Sequence, residues 1–276
     1  MMVRVHRLIR AEFLKLSAQP FLKVCLLVLI VITLSFEIGL PLARGQKETV
    51  WRSYNSVMLF AYGFQSGLKV ATYVLLIFSS MIFAGEFDRG TIKNLLTRPI
   101  TRLDFFVAKC LTVTGLAVFL FGFVFFVASA WALWRGDLGP VWDDGSYLIQ
   151  RGAAEITQHA RKAVLMSFLS FLAAGFLGIL VSNLTESSGY AVAIGLVVFL
   201  AGDLATGMMA DRAKEKVFLF YAPYALEKLT QLGEGTTTRW NPDIDAQHLY
   251  VFVPTAYMAA FIPLAFGLFR TRNITA

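Results

Sequence analysis

Charged side chains inside apolar runs are the first candidates for chemistry in this sequence. Glu37, Lys69 and Asp203 each stand in or beside a run long enough to cross a bilayer. A charge in hydrocarbon is costly unless it is paired or wet, so each is a functional candidate by default. For Glu37 and Asp203 a pathway role and a structural role both stand. Lys69, with its long stem near the end of its run, reads as snorkelling to the interface. Other chemistries find little support. Gly63 to Lys69 comes nearest to a phosphate-binding loop, but its spacing is wrong and Val70 stands where Ser or Thr is required. His6, His159 and His248 pair with neither Cys nor Glu at ligand spacing, and Asp137, Asp143 and Asp144 with His159 fit no metal cage. They read as a solvated loop. Cys25 and Cys110 sit in apolar runs and read as small buried hydrophobes. No metal site and no nucleophile–base pair is expected, so the chain does not read as an enzyme.

The elements that hold these residues follow from composition. Of 276 residues, 57 % are hydrophobic and 16 % charged, whereas soluble domains carry about 25 % charged residues. A bilayer core of ~30 Å needs about 20 apolar helical residues. Six stretches qualify, at about 24–40, 69–85, 105–134, 164–182, 189–209 and 248–269. The second is short unless it recruits Val57 to Phe64. All must be helices, because a lone strand in lipid leaves its backbone unsatisfied. The expected fold is all-α: one transmembrane domain over 1–276, with six spans after an N-terminal interfacial helix over 1–20. The net charge of +7 suits a lipid surface, and no nucleic-acid partner is expected.

Arg4, Arg7, Arg10, Lys15 and Lys23 precede the first span, against Arg44, Lys47 and Arg52 after it. By the positive-inside rule both termini are cytoplasmic. The polar lead is long and has a helical pattern of its own, so the first span is read as retained rather than cleaved. In that lead Val5, Leu8, Ile9, Phe13 and Leu16 share one helical face, flanked by basic residues. Pro20 then lets the chain turn into the membrane. Glu12 projects into the middle of the apolar arc and needs a partner. The segment is either an interfacial helix that meets a partner or a plain basic anchor. In the first case Arg89, Lys93, Arg98 and Arg102 are the in-chain cations within reach of Glu12, and a separate protein is the other source.

The connection between spans two and three is the most informative stretch. Ile92, Leu95 and Leu96 fall on one face of a short helix that Pro99 ends. Thr101 then caps the next helix, with Asp104 at the third position of a capping box. A short amphipathic helix between two spans can dock its Ile/Leu face in a groove on a soluble partner.

Glu86, Arg89-Gly90-Thr91, Leu95-Leu96, Pro99-Ile100-Thr101-Arg102 and Lys109 resemble the E…GT…LL…P-[IV]-[ST]-R…K pattern of ABC-2-type transporter permeases. Arg10-Ala11-Glu12-Phe13-Leu14-Lys15 is similar to that family's N-terminal elbow helix. Phe269 to Ile274 resembles its F-x-x-R-D-I exit from the last span, with Asn273 where Asp is common. The resemblance implies a permease subunit in a bacterial plasma (inner) membrane, with no ATPase activity of its own. It implies that ATP and Mg are bound by two separate ATPase subunits, and that a second permease copy or homologue completes the complex. Its ATPase contact would use Glu12, Glu86, Arg89, Gly90, Thr91, Leu95, Leu96, Pro99 and Arg102, and the connection would serve as a cytoplasmic coupling helix.

Three further expectations concern span packing and the outer face. Ser170, Ala174 and Gly178, and Gly189 with Ala193, make small-residue faces that let helices approach closely. The short turn over Asn183 to Ser188, with Thr185 as its cap, should set spans four and five antiparallel. The aromatic stretch at 217–232 holds Pro223 and is too short to span, so it reads as a re-entrant or interfacial helix on the outer face. Two other functions fit the same spans: a membrane anchor or assembly factor for a soluble partner, and a secondary carrier working through Glu37 and Asp203.

Overall fold

The computed structural model describes residues 2–43, 56–91, 101–135, 141–142, 149–151, 153–206 and 252–272. Among them are seven helices: α1 (Met2–Ala18), α2 (Pro20–Ala43), α3 (Ser56–Asp88), α4 (Arg102–Arg135), α5 (Ala153–Leu184), α6 (Ser188–Thr206) and α7 (Phe252–Thr271). A small antiparallel hairpin, β1 (Val141–Trp142) and β2 (Ile149–Arg151), stands between α4 and α5. All helices but α1 are long and apolar enough to cross a membrane. The 217–232 segment lies outside the described residues.

The span order agrees with the sequence pattern, but the lengths differ. With 33, 34 and 32 residues, α3, α4 and α5 are each about 50 Å long. α3 does recruit Val57 to Phe64. α5 begins at Ala153, inside the stretch assigned to a solvated loop, and the hairpin occupies part of the remainder. Hydropathy marks only the membrane-buried part of a helix. The start of α5 is instead held by Ile156, Ala160 and Ala163, which recur at helical spacing and are buried. The Asp137, Asp143 and Asp144 group lies outside the described residues.

α3 is the central helix, with α2, α4, α5 and α6 packed around it. Glycines make this possible, because they let backbones approach. A Cβ on Gly178 of α5 would stand 1.9 Å from Ser79 Oγ and 3.1 Å from the Ser80 nitrogen of α3. Gly63 and Gly67 of α3 lie in the same way against Glu37 and Thr33 of α2. Gly195 of α6 meets Ser80 and Leu76. The expected small faces are therefore used differently. The face bearing Gly178 serves α3, and α6 buries Ala191, Gly195 and Phe199 while Gly189 and Ala193 are exposed. A short turn makes α5 and α6 neighbours, but the central helix decides which face of each turns inward. In that turn Ser187, not Thr185, opens α6: its carbonyl accepts the Ala191 N–H at 3.1 Å, and the Thr185 hydroxyl donates to the same oxygen at 3.3 Å.

α5 binds α3 by a second device. The Ser182 hydroxyl oxygen accepts the N–H groups of both Phe83 and Ala84, each at 2.9 Å. Below it Phe83, Phe105, Phe106 and Phe269 form an aromatic cluster joining α3, α4 and α7. This end of the bundle, where α1 also docks, is its base.

Candidate functional site

The base contains the densest arrangement of charge among the described residues. α1 ends at Ala18; the N–H of the next residue, Gln19, is accepted by the Leu16 carbonyl, and Pro20 opens α2. Pro is favourable at a first helical position, where its missing N–H is not needed. The apolar arc of α1 lies against α4 of the same chain. Leu8, Ile9 and Leu16 are half-buried, and the Phe13 ring covers Gly115, where a Cβ would come 2.4 Å from its Cζ atom.

Glu12 projects from this arc, as its position on the helix requires, and meets two ammonium groups. Its Oε2 lies 2.9 Å from Lys109 Nζ and its Oε1 lies 2.9 Å from Lys15 Nζ. Glu86, at the end of α3, completes the cluster: its Oε1 is 3.1 Å from both Lys109 and Lys15. Two carboxylates thus balance two ammonium groups. The Lys109 side chain is only 2 % exposed and also lies 5.2 Å from the centre of the Phe105 ring. Lys15 is half-exposed. Partial burial disfavours its charge, but hydrogen bonding and attraction from Glu12 and Glu86 prevail and raise its pKa.

The other oxygen of Glu86, Oε2, accepts the Thr91 hydroxyl. Thr91 follows Gly90, whose φ of +65° is the left-handed conformation that glycine adopts without strain. The cluster therefore joins three things: α1, the spans α3 and α4, and the point where the chain leaves α3 toward residues 92–100. Every carboxylate oxygen in it has a donor. It is built to hold position.

The rest of the base is cross-braced. Thr101 caps α4 as its spacing requires, its hydroxyl oxygen accepting the Asp104 N–H at 3.1 Å. Arg102 donates to the carbonyls of Arg270 at 2.7 Å and Arg272 at 3.4 Å, at the end of α7. Arg272 donates to the carbonyls of Asn183 and Thr185, pairs with Glu186 at 3.2 Å and stacks on Phe87. Asp88 accepts the Ser188 hydroxyl at 2.6 Å at the start of α6, where a helix N-terminus favours an anion.

Of the residues singled out in the sequence, Glu12, Glu86 and Thr91 come together, and their polar groups turn inward to one another. Arg89 is exposed beside them, and Gly90 forms the turn. Arg102 is engaged with α7. Leu95, Leu96 and Pro99, and with them the short amphipathic helix, lie outside the described residues. The cations that meet Glu12 are Lys15 and Lys109, not Arg89 or Arg102; Lys93 and Arg98 lie outside the described residues. Lys109 was legible as a cation within an apolar run, the same signal that singled out Lys69. Its burial on the α1 side was not, because periodicity in α4 is too weak to assign a face.

The two pathway candidates have different surroundings. Glu37 is fully buried between α2 and α3 against Gly63. Asp203 of α6 pairs with Lys69 of α3 at 2.9 Å, so Lys69 is an ion-pair partner rather than a snorkelling cation.

Known proteins bear on this arrangement. The family model described as ABC-2 family transporter protein matches residues 8–202, which include α1 from Leu8 onward, the charge cluster, four whole spans and most of the fifth. The chain is also similar to the uncharacterized protein YhcI of Bacillus subtilis (strain 168), at 26 % identity over 203 residues. That match covers 72 % of this chain and 63 % of the relative, so the chain spans less than two thirds of the relative's length. With six apolar helices long enough to span and a family match over most of its length, the chain is a multi-pass membrane protein that belongs to the ABC-2 transporter family.

Proposed function

We propose that the chain is the permease subunit of an ATP-driven transporter, that a second copy or homologue completes the pathway, and that energy comes from separate ATPase subunits binding ATP and Mg. The observation that carries this reading is the cluster of Glu12, Lys15, Glu86 and Lys109. It couples the outlying helix α1 and the exit toward residues 92–100 to the spans through buried charge. A push on that connection by a partner is transmitted to α1, α3 and α4 as one body, which is what mechanical coupling needs. The docking surface is the connection itself, with Arg89 and the Leu95/Leu96 face meeting the ATPase. Glu12, Glu86 and Thr91 act behind it as positioning residues. The enclosure of Glu37 and the pairing of Asp203 weigh against a secondary carrier.

Co-purification tests the docking. Leu95→Ala with Leu96→Ala should insert normally and lose ATPase capture by tens-fold or more, since each buried leucine removed costs roughly 2 kcal/mol or more. Unchanged capture at normal membrane levels rejects the docking surface. Capture without any substrate-dependent hydrolysis points to the anchor or assembly-factor reading.

The basic residues before the first span support a base on the cytoplasmic side of a bacterial inner membrane, with both termini inside. A reporter active only in the cytoplasm should work at Ala276 and near Asn94 and fail near Gly145 and Gly235. Activity at Gly235 breaks the six-span orientation.

A further inference from the structure

Lys69 and Asp203 make an ion pair whose depth and exposure do not fit a lipid-facing or a sealed position. Lys69 lies about 25 Å along α3 from Glu86, and Asp203 about 23 Å along α6 from Ser188, at 1.5 Å per residue. Counted from the base, both thus stand in the outer part of the ~30 Å hydrocarbon thickness. Their side chains are nevertheless 44 % and 34 % exposed. Charges at this depth face a wet cavity or another protein surface, not acyl chains.

The surroundings agree. Tyr62, Ser66, Lys69 and Tyr73 follow one another at four-, three- and four-residue spacing, so they share a face of α3, and each is at least partly exposed. Tyr73 packs edge-on against Phe199 of α6, with ring centres 4.8 Å apart. Exposed apolar side chains stand on the neighbouring helices, as at Val24, Leu27 and Val31 of α2 and Val197, Val198 and Leu204 of α6. The stripe of α3 therefore sets polar and aromatic groups beside these lipid-compatible faces of α2 and α6.

We infer that this stripe lines the transport pathway and that the Lys69–Asp203 pair is the contact for a zwitterionic substrate with an apolar body. The inference rests on the permease reading above and adds the substrate class. A ligand with one charge would capture one member of the pair and strand the other at membrane depth. A zwitterion exchanges both partners at once, its anion going to Lys69 and its cation to Asp203. The rings of Tyr62 and Tyr73 provide contact for the apolar part, Tyr73 being backed by the buried Phe199.

The test uses the permease–ATPase complex in proteoliposomes, with Cys25→Ala and Cys110→Ala as background. Ser66→Cys should react with the water-soluble reagent sulfonatoethyl methanethiosulfonate at least about tenfold faster than Val197→Cys, because thiolate formation needs water. The dipeptide Phe-Phe should protect Ser66→Cys at about tenfold lower concentration than N-acetyl-Phe-Phe or Phe-Phe amide, which each lack one charge. Lys69→Gln should abolish the preference over Phe-Phe amide, which lacks the carboxylate, while Asp203 keeps the preference over N-acetyl-Phe-Phe; Lys69→Asp with Asp203→Lys should restore both. Equal labelling at Ser66→Cys and Val197→Cys overturns the pathway assignment. Equal protection by the three peptides, or none, overturns the substrate class. In either case a complex that still hydrolyses ATP leaves the permease reading intact. Failure to capture the ATPase rejects that reading, whatever the labelling shows.

Discussion

Lys109→Met is expected to release α1 from the bundle. Lys109 is the buried cation of the base cluster, and both Glu12 and Glu86 turn toward it. Without it the two carboxylates face each other with only the half-exposed Lys15 between them. Breaking a buried pair by removing one partner costs about 3–5 kcal/mol, because a charge is left uncompensated. The expected result is a purified protein with a markedly lower unfolding temperature and an α1 that proteases cleave readily. ATPase capture should fall with it, since the exit toward residues 92–100 loses its anchor on Glu86. Lys109→Gln combined with Glu86→Gln should be milder than Lys109→Met alone. That double change strands no charge, leaving Glu12 with Lys15 at 2.9 Å. If Lys109→Met matches the parent in melting and protease resistance, the cluster does not hold α1.

Gly178→Leu should have an effect of similar size by a different mechanism. Even the first carbon of a side chain there would overlap Ser79, and the Ser80 backbone nitrogen cannot move aside. Overpacking a filled contact costs about 1–3 kcal/mol. Pushing α5 away from α3 also takes Ser182 from the Phe83 and Ala84 N–H groups, and a buried donor left unmet costs about 1–3 kcal/mol. The total is on the order of 3 kcal/mol or more, enough to unfold many domains of marginal stability. Ser182→Ala isolates the second contribution and should fall between parent and Gly178→Leu in thermal stability and in folded yield after detergent extraction. A Gly178→Leu protein with the parent's melting temperature would show that α3 and α5 do not approach this closely.

Six spans, the separate helix before them and the Thr101 cap were all legible in the sequence. Each depends on composition or spacing within one segment: an apolar run of bilayer length, an apolar face with 3.6-residue periodicity, a hydroxyl three residues before an N–H that needs an acceptor. Glu12 was legible as a residue in need of a partner for the same reason, since a carboxylate on an apolar arc conflicts with its own helix. The short helix bearing Leu95 and Leu96 lies outside the described residues and is still an expectation.

What tertiary structure alone decided was which distant residues meet. Lys109 became the partner of Glu12 because α1 folds back along α4, bringing together positions 97 residues apart. Lys69 and Asp203 became a pair because α3 and α6 run antiparallel, and neither sequence segment carries any mark of the other. The small-residue faces show the same limit. Spacing identified Gly178 as a point of close approach, but only the central place of α3 determined that it approaches α3 rather than α6. The extra turns of α3 were legible as the apolar run Val57 to Phe64, but those of α5 were hidden because hydropathy senses lipid, whereas those turns are held by protein. Short-range patterns report the demand each segment makes on its surroundings. Which segment meets that demand depends on the packing of the whole bundle.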